Sequence, residues 1–296
     1  MHKEIEKAIL QTLIYSDIFS YPLSKDELWN FLINKKIDKK SFINQLKNLK
    51  IEKIKVRNNF YYLSGRESIV NTRIQRNKAS RKKIVIAKTI IKKLSFLPTI
   101  QFIGISGALS LGNATKEDDI DLFVIASKNR LWLTRLSIII FLLLRGSYRK
   151  RNDQEVSDKM CLNMLIDETA LAFPKIRHNL YTAHEIVQLM PIFDRNDMYK
   201  KFINANEWIK DYLPNAFSRG TKRNYTRNNA ESIISVVMRS VQRSSALENL
   251  AKAIQLWFIK KHITNETITD SLLAFHPNDY TKKVLKEYKK RLRIYV

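Results

Sequence analysis

Asp119 and Asp121 stand two residues apart at the head of an apolar run, Ile120 to Ala126. In an extended chain that spacing sends both carboxylates to one face, while Ile120 and Leu122 point into the core. Carboxylates fixed side by side repel each other unless a cation neutralises them. Mg2+ (or Mn2+) is the natural occupant, because hard cations take oxygen ligands and bridge carboxylates to phosphates. Upstream, Ile103-Gly104-Ile105-Ser106-Gly107-Ala108-Leu109-Ser110-Leu111-Gly112 reads as a buried strand running into a glycine turn and a short helix. Such a turn aims backbone N–H groups at whatever sits above it, which makes a phosphate cradle. The two segments place a phosphate and metal site between Gly104 and Leu122. Without the glycine turn, an Asp-x-Asp pair would serve equally well to cap a turn. Asp118 falls on the other side of the alternation and reads as a solvated turn residue.

A Gly-Ser-like turn followed by Asp-x-Asp on the next strand resembles the nucleotidyltransferase superfamily, the DNA polymerase beta-like group, over Phe102 to Ile125. The wider layout is similar to bacterial nucleotidyltransferase-domain proteins, through Leu131-Trp132-Leu133-Thr134-Arg135 and Tyr181-Thr182-Ala183-His184-Glu185. The resemblance implies a nucleoside triphosphate (NTP) bound through Ser106, Gly107, Ala108 and Ser110, with metal on Asp119 and Asp121. It implies transfer of a nucleoside monophosphate to an acceptor hydroxyl, with release of pyrophosphate. Metal ions and N–H dipoles would do most of that work by stabilising charge at phosphorus and on the leaving group. Two positions depart from the family pattern. Ala108 stands where a serine follows the glycine, and Asn163, which cannot take a proton at neutral pH, stands where many members carry a third carboxylate. Asp158 and Asp167 flank that strand as substitutes. The alternative function is a nucleic-acid-binding or regulatory protein whose transferase domain senses nucleotide without turnover.

Lys159, Arg130 and Arg135 are candidates for triphosphate oxygens, Lys159 foremost because it adjoins the strand Met160 to Ile166. His184-Glu185 invites a zinc-protease reading, but Gln188 rather than a second histidine lies four residues on. Glu185 is left as a possible base near an acceptor, against the plainer reading of a helix-surface or buried polar pair. Trp208, Tyr212 and Trp257 have the helical spacing and aliphatic neighbours of core residues.

The elements that position these residues fall into an α/β (α+β) core with a mixed sheet, flanked on both sides. Residues 1–65 carry three short helices and a hairpin, the pattern of a winged helix-turn-helix. Its marks are the capping box Ser24-x-x-Glu27, a helix opened by Asp38, and a turn at Asn58-Asn59 between Ile51–Val56 and Phe60–Leu63. Lys39, Lys40, Lys47, Lys50, Lys53, Lys55 and Arg57 would supply charge for nucleic acid, although such units also dock proteins. Residues 66–98 read as a solvated basic helix ending before Pro98. Residues 99–170 alternate strand and helix. Residues 171–296 read as helical almost throughout (Leu180–Leu189, Met198–Leu213, Ser232–Ile259, Tyr280–Leu292), with a polar linker at Ser218–Asn229.

Composition sets the outer bounds. The 296 residues can bury one large core or several small ones. The net charge of +25 favours polyanionic partners, though a general lysine enrichment explains it nearly as well. Cys161 is the single cysteine, which excludes an intramolecular disulfide and a cysteine-built zinc site. The longest apolar run, Ser137–Leu144, is far short of the roughly 20 residues a membrane span needs. With no basic-then-apolar start, these features point to a cytoplasmic protein without a membrane partner.

Overall fold

The computed structural model describes residues 2–48, 52–216, 226–227, 245–260, 267–275 and 278–295. The chain opens with α1 (His2–Asp17), β1 (Leu23–Ser24), α2 (Lys25–Asn30), α3 (Lys39–Lys47), β2 (Ile54–Arg57) and β3 (Phe60–Leu63). The strands form a small antiparallel sheet in the order β1-β3-β2. The local signals act as expected. Ser24 and Glu27 make a reciprocal capping box, and Asp38 accepts the Ser41 N–H. Asn58 and Asn59 both take positive φ in the tight turn between β2 and β3.

A mixed seven-stranded sheet follows, in the order β8-β7-β4-β5-β6-β10-β9. Its centre is β4 (Ile100–Ile105), β5 (Ile120–Ala126) and β6 (Met160–Asp167), with β4 antiparallel and β6 parallel to β5. Around them lie α4 (Ser68–Leu94), α5 (Gly107–Ser110), α6 (Leu131–Leu144), α7 (Leu180–Gln188) and α8 (Met198–Ala205). The rest of the sheet is β7 (Met190–Asp194), β8 (Thr226–Arg227), β9 (Thr267–Ile268) and β10 (Leu272–Ala274); the last helices are α9 (Ser245–Lys260) and α10 (Asn278–Tyr295). No described helix is long and apolar enough to cross a membrane.

Alternation along β5 divides the molecule into two cores. Leu122 and Val124 join α4, α6 and α9 on one face. Phe123 and Ile125 join α7, α8, α10 and the N-terminal helices on the other. Asp121 shares the second face, so the N-terminal unit stands on the carboxylate side of the sheet. It is joined there by polar contacts as well as apolar ones. Asp17 pairs with both Arg66 and Arg291, Tyr21 donates its hydroxyl to the Leu111 carbonyl at 2.9 Å, and Asn215 bonds the backbone at Trp29, Lys35 and Ile37.

Three sequence expectations change. The region after residue 170 is not helical throughout, because Met190–Asp194 and Leu272–Ala274 extend the sheet on both sides. Pro191 sits opposite Gly104 where the register shifts, a place where a missing ladder donor is tolerated. The basic helix is not solvated all round. Arg73 stacks on the Tyr21 ring at 3.6 Å and pairs with Glu27, and Lys83 is buried. Trp257 is 59% exposed, against its expected place in the core. Most of the Ser218–Asn229 linker, the first part of the helix expected from Ser232, and Lys50 lie outside the described residues.

Candidate functional site

Gly107 is the residue on which the site turns. It has φ +61°, and a Cβ there would come within 2.6 Å of Asp121 Oδ2. Glycine is therefore required twice, by the left-handed backbone and by the approach of a carboxylate. Ser106 ties the turn to β5 by donating its N–H to the Asp121 carbonyl at 2.9 Å. Ser106, Gly107, Ala108, Asp119 and Asp121 thus come together as the sequence implies.

Oxygens of Asp119 and Asp121 and the sulfur of Cys161 lie within 4.8 Å of one another. Cys161 is in register with Asp121 on the neighbouring parallel strand, which puts the thiol beside the carboxylates. Burial, then the two carboxylates, push the thiol well above its ordinary pKa, so it sits there as a neutral S–H. Burial, then the charge of Asp121, raise the pKa of Asp119, with Arg149 opposing. The donor set is thus two hard carboxylates beside a protonated thiol. It fits Mg2+ or Mn2+ completed by phosphate and water better than a thiolate-bound metal.

Arg149 was not singled out by sequence. Its Nη1 lies 2.6 Å from Asp119 Oδ2 and 3.5 Å from Cys161 Sγ. In a chain with 53 Lys and Arg residues, no local signal separates it from its neighbours. It is placed by backbone pairing, since its N–H donates to the Met160 carbonyl at the start of β6.

The Lys159 ammonium lies 2.8 Å from Asp153 and fastens the segment before β6. Lys83 positions the turn before β5. It donates to the Lys116 and Asp118 carbonyls and pairs with Asp158 at 2.8 Å, so a buried ammonium organises the turn leading into Asp119. Asp118 lies in that turn as expected, but half-buried rather than solvated, its carboxylate accepting from the Thr115 N–H and hydroxyl.

The substitutes for a third carboxylate are engaged elsewhere. Asp158 is held by Lys83, and Asp167, paired with Ala126 at the far end of β6, accepts from Asn129 and Thr169. Asn163 does reach the site. The register shifts by one residue between Leu122 and Phe123, which leaves Asn163 as the extra residue of a bulge, and its amide donates to Ser106 Oγ at 3.3 Å. Ser110 turns back, donating its hydroxyl to the Gly107 carbonyl at 2.8 Å, so it braces the turn. Arg135 is buried against Gln255 and Phe275, a structural place.

A cavity of about 330 Å³ opens beside Gly107, Ala108, Asp121 and Asn163. Its other walls come from the N-terminal unit (Tyr15, Ser16, Phe19, Tyr21), from α7 (Tyr181, His184, Glu185, Gln188) and from Tyr280 of α10. His184 and Glu185 therefore do face the site, as the alternative reading of that pair required. Burial, first, and the charge of Glu185, second, raise the pKa of Tyr181. Burial lowers His184 to about 3, so its ring is neutral.

No family model matches the chain, and no curated protein or solved structure shows significant similarity to it.

Proposed function

We propose that the chain is a metal-dependent nucleotidyltransferase acting at Gly107, Asp119 and Asp121. The observation that carries this reading is the 2.6 Å approach that a Gly107 Cβ would make to Asp121, because it brings the glycine turn and the acidic strand into one site. The mixed sheet, antiparallel between β4 and β5 and parallel between β5 and β6, supports the resemblance drawn from the motif. The order of helices and strands in residues 2–63 supports a winged helix in this reading.

Asp119 and Asp121 would hold Mg2+ or Mn2+, and Cys161 would remain a neutral neighbour. The ion, when bound, supplies Lewis-acid polarisation of the phosphoryl group. The chain's own part is positional. The turn at Gly107 and Ala108 would present backbone to the substrate phosphates, and Arg149, held beside Asp119, would supply positive charge to the pyrophosphate. Glu185 is the cavity carboxylate suited to receive the proton of an acceptor hydroxyl.

A second reading, nucleotide sensing without turnover, is favoured by Asn163 and Cys161 standing on β6 beside Asp121, since neither is a base at neutral pH. One experiment separates the two. The protein is incubated with each labelled nucleoside triphosphate and Mg2+, and pyrophosphate release and self-labelling are followed. Turnover lost in Asp119→Asn and Asp121→Asn supports the transferase, and nucleotide binding without turnover across acceptor pools supports the sensor.

A further inference from the structure

α4 is one-sided in charge. Over Ser68–Leu94 it has nine Lys and Arg residues and no Asp or Glu, in a chain that sets 28 acidic residues against 53 basic ones. General lysine enrichment would leave acids among the bases, as in α10, where Glu287 pairs with Arg291. Arg73 and Lys83 are buried, and Arg76 is half-buried. The other six, Lys78, Arg81, Lys82, Lys88, Lys92 and Lys93, are exposed. At about 100° per residue all six fall within an arc of about 140°, and the stripe from Lys78 to Lys93 is about 23 Å long. None of the six has an ion-pair partner among the described residues.

The stripe describes its partner. Lys78 with Lys82 and Lys88 with Lys92 are like charges at i, i+4, an arrangement that weakens a helix unless an anion lies across it. Five of the six are lysines, which are depleted in protein–protein interfaces and bind phosphates as point charges. Val85 is the one large exposed hydrophobic residue between Lys78 and Lys93, too little to hold a helix in a lipid surface. A long polyanion fits best, and a nucleic-acid strand, with a phosphate at every residue, is one. The inner side of the same helical turns touches the site. Arg76 donates to the Phe19 carbonyl and to Asn113 Oδ1, both from residues of the cavity wall. Ser80 Oγ accepts the Ala114 N–H at 3.0 Å, and Lys83 donates to the Asp118 carbonyl at 2.7 Å. Lys78, Arg81 and Lys82 therefore stand on the outer side of turns that brace the segment between the glycine turn and Asp119.

We propose that the acceptor is a polynucleotide, held by its phosphate backbone along the outer face of α4 so that its terminal hydroxyl reaches the carboxylate pair. The proposal rests on the nucleotidyltransferase reading. The terminal hydroxyl oxygen of the strand attacks the α-phosphorus of the nucleoside triphosphate. The new P–O bond forms as the bond to pyrophosphate breaks, and the hydroxyl proton passes to the Glu185 carboxylate.

The test has two readouts on the full chain. The first is metal-free binding of labelled single-stranded RNA and DNA, over a series of salt concentrations, beside phosphatidylserine vesicles. The second is extension of those strands, and pyrophosphate release, with each nucleoside triphosphate and Mg2+. At least one strand type should bind and be extended. Lys82→Gln, Lys88→Gln and Lys92→Gln together should lower the slope of log affinity against log salt by about 2, since each lost contact to a single strand removes about 0.7. Lys286→Gln, Lys289→Gln and Lys290→Gln together, on α10, should leave that slope unchanged. All six positions are exposed, and matching circular dichroism spectra confirm the fold. Pyrophosphate release that Asp121→Asn abolishes, with no strand bound or with equal losses in the two triple variants, overturns the proposal and leaves the transferase reading intact. Vesicle binding through α4 in place of strand binding also overturns it. Strand binding with the expected loss, but no extension and no pyrophosphate release, supports the α4 surface and faults the transferase reading. Neither binding nor release overturns both.

Discussion

Arg149 Nη1 lies 2.6 Å from Asp119 Oδ2, which sets a guanidinium against one member of the carboxylate pair. Burial and Asp121 outweigh that contact and leave the Asp119 pKa raised. A carboxyl that holds its proton more tightly folded than unfolded costs stability as pH rises from the unfolded pKa through the higher folded one. The cost is complete above both values. Asp119→Asn should therefore melt no lower than the wild type in metal-free buffer at neutral pH. Added Mg2+ should raise the wild-type Tm and leave the variant where it was. A clear loss of Tm in the metal-free variant would show that the Arg149 contact dominates after all.

Gly107 and Gly65 provide a matched pair. Both have positive φ, but a Cβ on Gly65 meets nothing within 4 Å, whereas one on Gly107 meets Asp121. Gly65→Ala should cost only the backbone strain, about 1 kcal/mol, and Gly107→Ala about 1–3 kcal/mol more. Urea melts measure both. Asp121→Ala in the Gly107→Ala background should recover the difference, and equal costs at the two glycines would refute the close approach.

Lys83 is a buried ammonium with three oxygen partners around the turn before Asp119. Lys83→Met keeps the bulk and removes the donors, leaving two carbonyls to find water. The expected destabilisation is about 1–3 kcal/mol. Metal affinity should fall with it, because Asp119 loses its brace. Unchanged Mg2+ affinity in a folded Lys83→Met protein would mean that the turn holds its shape without Lys83.

The motif was legible because it is local. A glycine turn and an Asp-x-Asp strand each lie within a few residues, and alternation alone puts Asp121 opposite the Leu122 face. The caps at Ser24 and Asp38 were legible for the same reason. What sequence did not show depends on pairing at a distance. Arg149 reaches Asp119 through the partnership of its backbone with Met160, and Lys159 meets Asp153 six residues back. Strands as short as Leu272–Ala274 hold no periodicity to read, and become strands because β6 offers an open edge. The joining of the N-terminal unit to the site rests on ion pairs such as Asp17 with Arg291, across almost the whole chain.

His184 makes the cavity wall sensitive to acid. Its folded pKa is lowered by burial from 6.5 to about 3, so below pH 6.5 the unfolded chain takes up a proton that the folded one refuses. Stability should be full above about pH 6.5 and fall progressively as pH drops toward 3. His184→Gln should flatten the dependence of the urea midpoint between about pH 7 and about pH 5, where the unfolded imidazole titrates and the folded one does not. An identical slope in the variant would assign the acid sensitivity to other groups.

The central claim, one metal and nucleotide site at Gly107, Asp119 and Asp121, is tested most directly by Mn2+ titration followed by electron paramagnetic resonance. The free Mn2+ signal is read with and without nucleoside triphosphate. The account predicts saturable Mn2+ binding to the wild type that nucleotide strengthens, and its loss in both Asp119→Asn and Asp121→Asn. Binding that survives both substitutions, or a wild type that takes up no Mn2+ with nucleotide present, would contradict it.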